Sequence, residues 1–280
     1  MAASRSTTAS SSPVRWMDRR LLEAATSGDA ASMKHLALHD PAVLLGTTLV
    51  GNTCLHISCI HGHEGFSMDV VVLNRCLLAA VITDNETVLL TAVTSGHASL
   101  ASFLLRQLAM ELIAAEPALS RAVNKYDESP MFIAVVRNYA DIFEKLLEIP
   151  DSAHGGTYGH NALHAAVRNG NAAFTKEIVE TRPMLAREES KQKATPMHFA
   201  VVWNKIDVLR VLLKHDSSLG YVVNTDSVPL LCSAAFRGHV DAARELLRHC
   251  PDAPYCDSWT CLHNAVHYGQ VEFVKCVLGT

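Results

Sequence analysis

Thr195-Pro196-Met197-His198-Phe199-Ala200-Val201-Val202-Trp203-Asn204 decides how the whole chain is read. A hydroxyl residue followed by proline suits the start of a helix: the first caps it and the second has its φ already set. Met197, Ala200 and Val201 then fall on one helical face, with a small residue where a neighbouring helix can approach. Asn204 tolerates the left-handed backbone that ends a helix. Leu212-Leu213, eight and nine residues further on, give a second helix its buried pair.

Outward from this stretch the same pattern recurs in both directions. Its terminating residues are Gly28, Gly62, Gly96, Asn138, Gly170, Asn204, Gly238 and Gly269, spaced 31 to 34 residues apart except for 42 between Gly96 and Asn138. Seven residues before each anchor stand Leu21, Leu55, Leu89, Met131, Leu163, Met197, Leu231 and Leu262. Four and three before it the pairs run from Ala24-Ala25 through Ser58-Cys59 to Ala265-Val266. Eight and nine after it they run from Leu36-Ala37 to Val277-Leu278. Each repeat is thus predicted as helix, turn, helix and loop. One repeat alone cannot bury both of its faces, but stacked repeats can. The eight extra residues after Gly96 are expected to lengthen a second helix over Leu104 to Ala115, and the loop pattern across Asp69–Ile82 is blurred. An array of this length suggests one continuous body.

The repeat openings Thr53-Cys54-Leu55-His56, Ser129-Pro130-Met131-Phe132, Asn161-Ala162-Leu163-His164 and Thr260-Cys261-Leu262-His263 are variants of the first. Together with the small pairs, Gly62-His63 and the Leu-Leu columns, they resemble the ankyrin repeat family over residues 16–278. That resemblance implies an all-α, right-handed ankyrin solenoid of about eight helix-turn-helix units with β-turn fingers between them. Gly51-Asn52-Thr53-Cys54-Leu55-His56 and Asn124-Lys125-Tyr126-Asp127-Glu128-Ser129-Pro130 are similar to the plant subgroup whose members carry a C-terminal membrane domain with a Pro-Gly-Gly motif, which this sequence lacks. The subgroup implies stress or defence signalling, in the cytoplasm or at the cytoplasmic face of the plasma membrane.

Composition narrows the remaining classes. Hydrophobic residues make up 49% and aromatics only 6%, which suits closely packed helices. Net charge is −4, and no Lys/Arg run argues for nucleic acid as a partner. The apolar stretches are too short to span a membrane. Eight scattered cysteines read as thiols in a reducing compartment. Residues 1–15, Ser/Thr-rich with Arg5 and Arg15, read as a disordered tail or, on composition, a transit peptide, with the array occupying 16–280.

His56, His164, His198 and His263 occupy one column. Neighbouring repeats stand about 10 Å apart, so these rings cannot converge on one ion. The expectation is a structural motif, each imidazole bonded to Thr53, Thr195, Thr260 or their equivalent and to loop backbone. Cys54, His56, Cys59, His61 and His63, and again Cys250, Cys256, Cys261 and His263, are the metal-like clusters. They leave a metal- or redox-responsive module as the alternative function, although every member of the first is explained by its repeat position. No enzyme motif is present, and neither a cofactor nor a resident metal is expected. Gly155-Gly156-Thr157-Tyr158-Gly159 reads as a flexible finger.

The columns one and two before each anchor are free of packing duty and line the concave groove of an ankyrin-like stack. From the fourth repeat on they hold Arg137, Arg168, Trp203, Phe236, Arg237, His267 and Tyr268. Trp, Tyr and Arg are enriched where binding energy concentrates. These residues, with Tyr126, Tyr158 and Trp259 at the loop tips, are the expected site for a protein partner with an acidic and apolar surface, held by a monomer.

Overall fold

The computed structural model describes residues 15–112, 122–149, 152–223, 228–253 and 260–279, with side chains described outside 108–112. The described residues form helices in pairs and no sheet. The pairs are α1 (Arg19–Ser27) and α2 (Ala30–His39); α3 (Cys54–His61) and α4 (Glu64–Leu73); α5 (Val88–Ser95) and α6 (Ala98–Leu112); α7 (Pro130–Val136) and α8 (Ala140–Leu147); α9 (Ala162–Asn169) and α10 (Ala172–Thr181); α11 (Pro196–Val202) and α12 (Ile206–His215); α13 (Leu230–Arg237) and α14 (Val240–His249); α15 (Cys261–His267) and α16 (Val271–Leu278). The chain divides into two compact bodies, Met1–Leu108 and Ala109–Thr280. The division falls in α6, whose 15 residues absorb part of the insertion after Gly96.

The anchors end the first helices as their residue types require. All eight are left-handed, from φ 50° at Asn204 to 82° at Gly96. The helix starts follow from their caps. Ser129 Oγ accepts the Phe132 N–H, Thr87 Oγ1 the Leu90 N–H and Asn161 Oδ1 the His164 N–H.

In the first body α1 packs on α3 and α3 on α5. Leu21, Ala25, Leu55, Cys59, Leu89 and Val93 are buried between them. In the second, α7, α9, α11, α13 and α15 pack in series, with α10, α12, α14 and α16 behind. The last repeat departs from its columns. Leu262 is half-buried, while Val266 and Leu278 are 69% and 59% exposed. The helices packed most closely on α15 and α16 are α13 and α14.

The loops carry a shared device. In Thr48–Asn52, Ile82–Glu86, Asn124–Glu128, Gly156–His160 and Ser190–Ala194, the first N–H donates to the last carbonyl, at 2.7–3.1 Å. The fourth residue of each is left-handed: Gly51, Asn85, Asp127, Gly159 and Lys193. Neighbouring fingers join where Thr83 N–H reaches Val50 O and Lys191 N–H reaches Tyr158 O. The blurred stretch after Gly62 is the end of α4, a 3-10 turn over Arg75–Ala79 and the finger that follows. Within the glycine-rich segment Gly156 is buried, and a Cβ on it would stand 2.4 Å from the Phe132 ring, while Tyr158 and Gly159 are exposed. Arg15, placed by sequence in the tail, pairs with Asp40, and its carbonyl accepts the Thr47 N–H. Residues 1–14 lie outside the described residues.

Candidate functional site

The histidine column is a set of local clasps. The backbone N–H of Thr53, Asn161, Thr195 and Thr260 donates to Nδ1 of His56, His164, His198 and His263 at 3.1–3.3 Å. The three threonine hydroxyls lie 2.8–2.9 Å from the same nitrogens. An accepting Nδ1 leaves the proton on Nε2. In His164 that nitrogen donates to Ala194 O, 2.9 Å away in the next finger. For His56 and His198 the Glu86 and Val223 carbonyls lie close enough to favour the protonated ring but outside hydrogen-bonding geometry. Burial holds His56 and His164 down at about 4, with those carbonyl contacts opposing it. His263 makes the same clasp at an exposed position.

The cysteine–histidine cluster disperses. Cys54 and Cys59 are fully buried, and burial pushes both thiols up to about 12. His63 Nε2 instead lies 2.8 Å from Thr26 O of the preceding repeat. Cys250 and Cys261 are also buried with thiols pushed up, and Cys256 lies outside the described residues. Among the described residues no three His, Cys, Asp or Glu side chains stand in a ligating arrangement.

The groove columns behave differently. Each lies in the last turn of a first helix or at its C-cap, just before a left-handed anchor. Arg137, Arg168, Trp203, Phe236, Arg237, His267 and Tyr268 are all exposed, all in the second body. Phe236 and Tyr268 meet edge to face with centroids 4.4 Å apart, and His267 stands edge-on to Tyr268 at 4.8 Å. One member of these columns is not available: Asn169 Nδ2 donates to Val135 O and Val136 O of the preceding repeat. Of the finger residues, Tyr126 and Tyr158 are exposed, with Lys125 Nζ 5.1 Å from the Tyr126 ring centroid. Trp259 lies outside the described residues.

Sequence reasoning missed the cleft beside Arg168. Phe132, Val136, His160, His164, Ala165, Arg168, Asn169 and Phe199 enclose about 270 Å³. Phe132 occupies the histidine column, where an aromatic departs from the repeat pattern, and that substitution was the available signal. His160 and Phe199 sit in columns with no repeat signature.

Comparison with known proteins follows the same lines. Family models of ankyrin repeats match residues 131–226 and 231–278, together about half the chain. A rice protein (Oryza sativa subsp. japonica) named "Probable E3 ubiquitin-protein ligase XBOS31" is 30% identical over 121 residues, which are 42% of this chain. The match spans only 27% of that relative's length. The human ASB11 ankyrin repeat domain superposes with a TM-score of 0.63 at 20% identity, over 83% of this chain and 98% of its own. The ankyrin repeat domain of Bcl-3, of the IkappaB family, does so with a TM-score of 0.67 at 18% identity, over 82% and 100%. Repeat spacing, left-handed anchors, paired helices and these matches agree, and the chain belongs to the ankyrin repeat family.

Proposed function

We propose that this chain is a non-catalytic protein-interaction scaffold, and that the groove columns of its second body hold a partner with an acidic and apolar surface. The observation that carries the reading is the exposure of Trp203, Phe236 and Tyr268, at 53%, 48% and 47%, in the same run of positions as Arg137, Arg168 and Arg237. Large apolar side chains held half-exposed in one register lose water on contact with a partner, and flanking guanidiniums add charge-assisted hydrogen bonds. The first body offers no such set: its equivalent positions are Thr26, Ser27, Ile60, His61, Thr94 and Ser95.

The resemblance to the plant subgroup supports a setting in stress or defence signalling, in the cytoplasm or at the cytoplasmic face of the plasma membrane; the proposed scaffold acts as a monomer. No helix of the described residues is long and apolar enough to cross a membrane. The rice relative's name suggests one use for such a scaffold, presenting a captured protein to ubiquitin transfer.

An affinity pull-down with wild type and with Trp203→Ala and Arg237→Ala tests the reading. Each substitution is expected to weaken capture by ~1–2 kcal/mol, as truncated binding residues do. Both should leave helicity and melting unchanged. Unaltered capture by either variant contradicts the site, and unfolding shows a packing column instead.

A further inference from the structure

The groove columns of the second body are held together as one row. Asn169 Nδ2 donates to Val135 O and Val136 O, which sets the Arg168 end of α9 beside the Arg137 end of α7. His239 Nδ1 lies 2.9 Å from Val201 O and ties the repeat of Phe236 to that of Trp203. Phe236 and Tyr268, from neighbouring repeats, converge at 4.4 Å. The row holds no acid. Its arginines also differ from the others described in this body. Arg187, Arg210, Arg244 and Arg248 each pair with a carboxylate, and Arg182 donates to Ile149 O and Ser152 O. Arg137, Arg168 and Arg237 are exposed and have no ion pair among the described residues.

Spacing says which backbone can meet such a row. Packed helices stand about 8–10 Å apart, and this is the step from one repeat to the next. A polyproline II segment presents the same face every three residues, after about 9.3 Å. A β-strand does so after two or four residues, at about 6.6 or 13 Å, and misses the step. An α-helix docks by an apolar stripe, which here would cover Arg137 and Arg168 and desolvate both without a counter-charge.

We propose that the groove reads an acidic polyproline II segment of its partner at every third residue. From the fourth repeat onward, carboxylates face Arg137 and Arg168, and apolar side chains face Trp203 and then the Phe236–Tyr268 pair. Two guanidiniums in adjacent repeats repel each other, and two carboxylates three residues apart neutralise both through charge-assisted bonds. The inference rests on the scaffold reading above and deepens it by fixing the order and spacing of the partner's side chains.

The test selects from displayed random 14-residue peptides on the full chain and titrates the favoured peptides in solution. They are expected to carry two acids three residues apart and an apolar residue three beyond the second. Changing either acid to its amide should weaken binding at least about 10-fold, the strength of a charge-assisted bond. Arg168→Glu, at an exposed position, should turn the preference at the second acid into one for Lys and leave the first unchanged. Arg137→Glu should do the opposite, and both should keep the wild-type melting temperature. Acids without fixed spacing, a spacing of two or of seven residues, or acid preferences that survive both substitutions each overturn the proposal. So does a selection that enriches no peptide. If no such register emerges while Trp203→Ala still weakens the pull-down, the groove stands and the register falls. If the register holds while the pull-down ignores Trp203→Ala and Arg237→Ala, the register stands and the scaffold reading of the captured partner falls.

Discussion

A Cβ added to Gly62 would stand 2.5 Å from Cε1 of His97, whose ring lies over the anchor of the preceding repeat with Nε2 3.1 Å from Ile60 O. His63 lies over Gly28 in the same way. Where the anchor is Asn138, the next repeat brings Asn171, whose Nδ2 donates to Asn138 Oδ1. The anchor therefore ends a helix and also leaves room for the next repeat's side chain. Gly269 is left-handed too, but nothing lies within 4 Å of its Cβ direction. Gly269→Ala should cost about 1–2 kcal/mol for the left-handed strain alone. Gly62→Ala should cost about 1 kcal/mol more, because the His97 ring must leave its carbonyl. Urea denaturation of the two variants checks the difference; equal losses mean the ring moves aside freely. The left-handed requirement was legible, since only Gly and Asn fill the column. The second duty was not, because it joins residues 35 positions apart that meet only in the stack. The histidine clasps yield a second expectation. His56 and His164, held at about 4 by burial, take up protons more readily unfolded, where the ordinary value is 6.5. Their contribution is full above about pH 6.5 and is lost as pH falls toward 4, on the order of 3 kcal/mol per ring. Leu90 fills this column in the third repeat beneath its Thr87 cap. His56→Leu and His164→Leu should thus flatten the fall in stability between pH 6.5 and 4.5, followed by denaturant titration. A slope unchanged in both excludes burial of these rings as its source.

Except for α6, the helices are 7 to 10 residues long, shorter than the 12 to 15 at which isolated helices become even marginal in water. Their stability comes from neighbours, so the same residue type should matter according to what covers it. Leu246 in α14 is fully buried between the flanking helices α12 and α16, whereas Leu278 in α16 is 59% exposed. Leu246→Ala should cost about 2–5 kcal/mol and Leu278→Ala much less. Amides of Phe273–Leu278 should also exchange faster with solvent than those of Arg244–Arg248. Equal costs and equal protection would place a covering surface over α16, such as a second chain. The helices were legible because their columns repeat eight times. The fingers were expected from the family resemblance and not from a column of their own: five share one hydrogen-bonded plan, but Asn85, Asp127 and Lys193 take the left-handed place that glycine takes elsewhere. The cleft stayed hidden for a related reason: it draws on α7, α9, α11 and the finger at His160, and no single repeat contains it.

At the scale of the chain, charge and site are separated. The protein carries a net −4, yet the groove columns of the second body hold Arg137, Arg168, Arg237 and His267 and no acid. A negative molecule with a locally basic groove is not expected to bind acidic surfaces indiscriminately. Attraction is confined to within about a Debye length of the groove, ~10 Å at 0.1 M salt and ~3 Å at 1 M. Exposed ion pairs contribute about 0.2–1 kcal/mol each, and salt screens them; apolar contact by Trp203, Phe236 and Tyr268 is not screened in this way. The two contributions can therefore be told apart on the partner recovered by pull-down. Raising salt from 0.1 to 1 M should weaken wild-type binding several-fold. In the double variant Arg168→Gln/Arg237→Gln, binding should already be weak at 0.1 M and should change little with salt. Trp203→Ala should lower affinity by a similar factor at both concentrations and keep the wild-type slope. Titration calorimetry at the two salt concentrations gives all three comparisons. A wild-type affinity independent of salt, with Trp203→Ala still damaging, would mean that the groove holds its partner by apolar contact and that the arginines serve solubility.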